Sequence, residues 1–133
     1  MRRVTFTALF LALTLPAVHA ASLKEMELGE LLNKVAKESS VGTPRAINEN
    51  ILDRGYTVDG SELVNHLSVL PAHAEQMRAN KGSMREQLSR SVCNNSGFRQ
   101  LMDRGATLRY EFSEYQSNSP ISRERFTKSD CGA

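Results

Sequence analysis

Two cysteines, Cys93 and Cys131, constrain this chain more than any other residues. Cys93 ends a polar helical stretch, RSVCNNSG, and Cys131 lies in the closing SDCGA. Whether they can pair depends on the compartment, and the N-terminus bears on that. Met1-Arg2-Arg3 is a short basic start, Val4 to Leu15 carries no charge, and small residues Val18 and Ala20 follow. That order predicts a secretory signal peptide over 1–20 and leaves a single small domain over 21–133. An uncharged run of about 12 residues falls short of the roughly 20 that a helix needs to cross a bilayer. No cysteine follows Ala20-Ala21-Ser22, so no lipid anchor is expected, and the exported chain is expected to be periplasmic or secreted.

Outside the reducing cytosol, two cysteines make one obvious bridge, and a domain of this size benefits from one. It would tie a fraying tail to a helix. A metal site and a reactive thiol are the alternatives. Zinc would have to recruit His66 and His73, which stand at no recognised spacing, so neither metal nor cofactor is expected. Charge narrows the partners. Lys and Arg number 17 against 15 Asp and Glu, and Arg2 and Arg3 belong to the leader. The mature chain is therefore close to neutral, and nothing in it favours nucleic acid, whose binding needs clustered Lys and Arg.

The mature chain opens with a capping box, Ser22-Leu23-Lys24-Glu25, and Leu28, Leu31, Leu32, Val35 and Ala36 then recur at helical spacing. This predicts a helix over about 23–38, ended by the linker Ser39 to Pro44. Asp59-Gly60 predicts a hairpin with a type I′ turn, which needs positive φ at both central positions. After the turn Leu63, Asn65, Leu67 and Val69 alternate with Val64, His66, Ser68 and Leu70, a strand apolar on both faces. Gly55 before the turn marks a bulge, and a helix over Ala46 to Asp53 is the competing reading. Pro71 to Gly105 reads as helical, with a break at Lys81-Gly82 and a second capping box at Ser83 to Glu86. Met84, Leu88 and Val92 face inward, with Arg85 and Arg90 outward. A short helix then buries Phe98, Leu101 and Met102 and closes at Gly105. Leu108, Tyr110 and Phe112 alternate with Arg109, Glu111 and Ser113 as a half-buried strand, and Ile121 to Thr127 returns antiparallel to it. The fold class is α+β: an antiparallel sheet of about four strands, packed by an N-terminal helix and a central helical segment and closed by one disulfide.

Catalytic chemistry is hard to find. His66 has no Ser, Cys or Asp placed by any motif to complete a nucleophilic set, and His73 near a helix start reads as solvated. There is no G-x-S-x-G, no H-E-x-x-H and no phosphate-cradling glycine loop. No catalytic residue is assigned and the chain is not expected to be an enzyme. Tyr110, Phe112, Tyr115 and Phe126 are candidates to line a groove, with core the preferred reading of Tyr110 and Phe112, which alternate on one strand face. Tyr115 falls on the opposite strand face, with Arg109 and Glu111, and these three are the candidate partner-binding residues.

The C-terminal stretch VCNNSGFRQLMDRGATLRYEF, followed by FTKSDCGA, resembles a pattern in small bacterial envelope proteins. It is a cysteine ending a helix, a short helix closed by glycine, an alternating aromatic strand, and a second cysteine after the final strand. The pattern is similar to that of the beta-type pilotins of type II secretion and of the quorum-sensing-regulated virulence factors of pseudomonads. The resemblance is good over Val92 to Gly132 and topological before it. It implies a Cys93–Cys131 bridge, Gly105 as the helix stop, and a non-enzymatic protein engaging a segment of a secretin or of another envelope or secreted protein. The missing lipidation cysteine departs from the pilotins and shifts the reading toward an unanchored accessory or virulence-associated factor. The alternative is a periplasmic immunity or inhibitor protein acting on a toxin or lytic enzyme.

Overall fold

The protein's structure, a computed structural model, describes residues 18–132, with side chains from Leu23 onward. The leader expected over 1–20 therefore lies outside the described residues, apart from Val18 to Ala20. Those three residues open helix α1 (Val18–Ser39), which starts before the Ser22 capping box rather than at it. Its stripe lands as the spacing requires: Leu28, Leu32 and Ala36 are buried, and Leu31 and Val35 pack beside them.

Strands β1 (Arg45–Ala46), β2 (Ile51–Asp59) and β3 (Glu62–Val69) come next. The competing helix over Ala46 to Asp53 is not formed. Asp59 pairs with Glu62, so the hairpin turns on Gly60-Ser61 rather than Asp59-Gly60. Only Gly60 has a positive φ, +60°, which suits a turn with glycine first rather than type I′. The ladder breaks between Asp53 and Tyr56, where Gly55 forms the expected bulge at φ +104°.

Helices α2 (Pro71–Ala79) and α3 (Lys81–Cys93) meet at Asn80, and Ser83 does not cap α3. The Met84 N–H already bonds the Asn80 carbonyl, so Ser83 lies inside the first turn. Helix α4 (Ser96–Asp103) is capped by the Asn95 side chain, which accepts from the Phe98 N–H at 3.0 Å. It closes when Gly105 and Ala106 donate to the carbonyls of Met102 and Leu101, with Gly105 at φ +101°. Strands β4 (Thr107–Glu114) and β5 (Pro120–Phe126) follow, then a 3-10 turn, Lys128–Cys131.

The sheet has five strands in the order β1-β2-β3-β4-β5, and β3 pairs with β4 in parallel. The expected fold thus needs two corrections, five strands for about four and a mixed sheet for an antiparallel one. Both have a physical cause. The chain leaves β3 through three helices and re-enters the sheet at the end where β3 began, which forces parallel pairing. The extra strand, β1, is two residues long and leaves no periodic signal.

Register places Leu63, Leu67, Val69, Leu108, Tyr110, Phe112 and Phe126 on one face, and all four helices contribute residues to the core built on it. Among the described residues the helices contribute their buried side chains to that face, and on the opposite face Val64 is fully buried.

Candidate functional site: an uncharged groove on the helical face

Helix α1 covers the β2–β3 side of the sheet, while α2 and α3 lie over β4 and β5. Between α2–α3 and the segment carrying Ile47 and Ile51, over β3 and β4, lies a groove of about 510 Å³. Asn65 and Leu67 of β3 and Tyr110 and Phe112 of β4 form its floor. Met77, Met84 and Leu88 of α2 and α3 form one wall, and Ile47 and Ile51 face them. Ile47 is 57% exposed, although it is large and apolar. None of the fifteen residues lining the groove is Asp, Glu, Lys or Arg. In a chain that is 24% charged, an average surface patch of that size would carry three or four. Its polar groups are amides, hydroxyls and the His73 imidazole, so the groove suits an apolar body with peptide-like hydrogen-bonding groups. Two methionines in one wall give it an adaptable shape.

The floor is held by a buried polar pair. Asn65 donates from Nδ2 to Asp53 Oδ1 at 3.0 Å and to the Gly55 carbonyl at 3.3 Å. The Gly55 N–H donates to the same Asp53 oxygen at 2.9 Å. Ser40, at the end of α1, accepts from the Tyr56 N–H at 2.8 Å and donates to the Tyr56 carbonyl. The bulge is thereby tied to α1 on one side and to the groove floor on the other. Burial, with a smaller contribution from neighbouring Tyr56, pushes the Tyr110 phenol well above its ordinary value. Tyr56 is also raised, by burial first and the Asp53 charge second, with Arg45 opposing.

The open sheet face holds a lattice of charge. Arg109, its side chain 11% exposed, meets Asp59 at 3.1 Å, Glu111 at 3.2 Å, and Glu62. Arg125 bonds Glu62 at 2.8 Å, and Arg123 stands 2.9 Å from Glu111. Burial works against the Arg109 charge, but the Asp59 hydrogen bond and the Glu111 and Glu62 charges outweigh it and raise its pKa. Thr57 Oγ1 lies 2.7 Å from His66 Nε2, and His66 Nδ1 lies 3.9 Å from Glu111. This has the order of a hydroxyl–imidazole–carboxylate set, but the last step is too long for a hydrogen bond. Glu111 is engaged by two arginines, and β3 is paired on both sides, so its N–H groups are not free to form an oxyanion hole.

The structure separates the three candidate partner-binding residues. Arg109 and Glu111 belong to the charge lattice, while Tyr115 lies just past the end of β4 and is 44% exposed. None of them lines the groove. Of its lining residues, Tyr110 and Phe112 are buried in the core, as their alternation predicts, and Met84 and Leu88 pack against it, so one periodicity serves both roles. Cys93 and Cys131 form a disulfide with their Cα atoms 5.3 Å apart. Among the described residues no group of three or more His, Cys, Asp or Glu side chains could hold a metal ion, and no helix is long and apolar enough to cross a membrane.

Residues 21–132 match the family described as "Putative quorum-sensing-regulated virulence factor". The chain belongs to this family. The match extends the resemblance seen over Val92 to Gly132 across the first helix and the β2–β3 hairpin. The family fold is also seen in a crystal structure of a putative secreted protein from Pseudomonas aeruginosa, 61% identical, with a TM-score of 0.80, covering 82% of this chain and 96% of that one. The pilotin EpsS of the Vibrio vulnificus type 2 secretion system is 14% identical with a TM-score of 0.73, covering 84% of this chain and 98% of its own. The type II secretion pilotin AspS of Vibrio cholerae is 19% identical with a TM-score of 0.67, covering 84% and 99%. At these identities the two pilotins share the fold. No curated protein matches the chain.

Proposed function

We propose that this chain is an exported, non-catalytic accessory protein whose groove receives an apolar segment of another envelope or secreted protein. The uncharged groove over β3 and β4 carries this reading. A helix or strand of a partner could lay its apolar side chains against Leu67, Phe112, Met84 and Leu88. The amides around them would meet its polar groups. Export is supported by the leader-like residues 1–20 and by a family match that begins at residue 21. The shared fold with two secretion-system pilotins makes a secretion-system component the first partner to look for. Without a cysteine to lipidate after Ala20, the mature domain over 21–133 would work unanchored, in the periplasm or outside the cell.

The test is cross-linking of the tagged mature protein in its native envelope, with mass spectrometry of what co-purifies, beside Met84→Arg and Leu88→Arg variants. One envelope or secreted protein should be recovered with the wild type and lost with both variants, while their circular dichroism stays native. Equal recovery with folded groove variants would remove the groove from the function. Recovery of a toxin or lytic enzyme would mean the fold serves as an inhibitor.

A further inference from the structure

Strand β5 is an outer edge of the sheet, and the register fixes which of its backbone groups face away from β4. The Thr107 and Tyr115 N–H groups donate to the carbonyls of Ser61 and Val69, on the β3 side. The alternate residues Leu108, Tyr110 and Phe112 therefore turn their N–H and C=O groups toward β5, where they pair with Phe126, Glu124 and Ser122. Arg123 and Arg125, lying between those partners, point their own backbone groups outward. The Arg125 carbonyl is taken, since Arg85 of α3 donates to it at 3.2 Å. Pro120, which has no N–H, closes the other end. Between these stops the Arg123 N–H and C=O and the Arg125 N–H have no partner among the described residues.

The side chains at this opening are basic. Arg123 and Arg125 project on the face of the charge lattice, half exposed. Among the described residues each meets one carboxylate, Glu111 at 2.9 Å and Glu62 at 2.8 Å, and Arg109 shares both. A concavity of about 650 Å³ opens beside Pro120 to Arg123, where Lys81 of α3 adds an exposed cation. We propose that β5 is a docking edge for an extended acidic segment of a partner protein, which adds as a sixth strand with carboxylates at alternate positions facing Arg123 and Arg125. Main-chain bonds at the two arginines would supply affinity, and the spacing of the carboxylates specificity. Each arginine would gain on its outer side the second carboxylate that it lacks. A second copy of the chain suits this edge poorly, because two β5 strands bonded through these groups would set arginine against arginine. No β5 residue lines the groove, so the two surfaces can be tested apart.

The 15N-labelled mature protein is titrated with the blocked peptide acetyl-Thr-Val-Glu-Val-Glu-Val-Thr-amide. Saturable amide shifts should centre on residues 121–126, with the Arg123 and Arg125 amides moving downfield and exchanging more slowly. Groove residues such as Gln87 and Ser91 should stay unmoved. Lysine in place of both glutamates turns ion pairs into like-charge contacts and should weaken binding about tenfold. Arg123→Gln combined with Arg125→Gln leaves Glu62 and Glu111 with Arg109, and should fold. It should weaken the glutamate peptide about three- to tenfold and narrow the gap between the two peptides. N-methylation then reports on strand addition. Only alternate amides of an added strand face β5, so methylating the glutamate nitrogens in one peptide and the valine nitrogens in another should abolish binding in one case and spare it in the other. Absence of saturable shifts on β5, equal binding of the glutamate and lysine peptides, or full binding of both methylated peptides would each overturn the proposal. So would shifts at Gln87 and Ser91 alone, which would place the peptide in the groove. Concentration-dependent shifts on β5 without peptide would overturn it in favour of a second copy.

Discussion

Asp53 and Asn65 are buried polar residues that satisfy one another, and the bulge depends on the pair. Asn65→Ala removes the donor to Asp53 and to the Gly55 carbonyl, leaving a buried carboxylate with the Gly55 N–H and an arginine 3.7 Å away. The expected loss is about 2 kcal/mol in chemical denaturation, the cost of stranding such groups. Tyr110 gives a prediction in pH. Its folded pKa lies above the unfolded value of about 10, so the folded state keeps the proton longer. Stability should therefore be whole below about pH 10 and be lost as pH climbs from there toward the folded value. Tyr110→Phe should remove much of that alkaline decline, and what remains should carry the Tyr56 contribution, which has the same sign. A wild-type and a Tyr110→Phe curve that fall in parallel above pH 10 would contradict this. At this scale the disulfide and the Gly105 stop were legible, because each residue type has a narrow set of uses. The groove was legible only as the lesser reading of Tyr110 and Phe112, since these residues and Leu88 keep the same spacing whether they fill a core or line a cleft, and Tyr110 and Phe112 do both.

At the scale of elements, two glycines at positive φ should respond differently to substitution. A Cβ on Gly55 would lie 3.1 Å from both Ser40 Oγ and Thr43 Oγ1, at φ +104°, whereas nothing stands within 4 Å of a Cβ on Gly60 at φ +60°. Gly55→Ala combines backbone strain with a clash against the side chain that anchors Tyr56, and should cost about 2–3 kcal/mol. Gly60→Asn takes a residue that tolerates the left-handed region and should cost about 1 kcal/mol or less. Thermal unfolding of the two variants gives the ranking directly, and a reversed order would mean the bulge is not the fixed point it is taken to be. The helices and strands β3, β4 and β5 were legible because their periods, 3.6 and 2, are written in one residue after another, whereas β2 was signalled only by the turn that follows it and competed with a helix over Ala46 to Asp53. Parallel pairing of β3 with β4 was not, because it is decided by where a helical crossover sets the chain down. The same limit explains the hairpin. Asp59-Gly60 signalled a reversal correctly, yet the register of β2 against β3 moved the turn by one residue.

For the whole molecule, the question is what keeps α3 and β5 together once the groove must bind something. Strand β5 is an edge of the sheet, and α3 is the groove's wall. Arg85 joins them: it bonds Glu124 at 2.8 Å and the Arg125 carbonyl at 3.2 Å, and its guanidinium sits 4.6 Å above the Phe126 ring. The Cys93–Cys131 bridge joins them again, tying the end of α3 to the turn that follows β5. Closing a loop of sequence separation 38 restricts the unfolded chain by up to about 4 kcal/mol. Replacing both cysteines by serine should lower stability by up to that amount, and reducing agent should lower the thermal midpoint of the wild type alone. The loss should also have an address. Amides of α3 and β5 should exchange faster, while those of the β2–β3 hairpin, anchored by α1 and the Asp53–Asn65 pair, stay protected. Partner binding through the groove should weaken in step with α3. A midpoint unmoved by reducing agent would mean that Arg85 and the sheet ladder already hold the wall, and that the bridge secures only the tail.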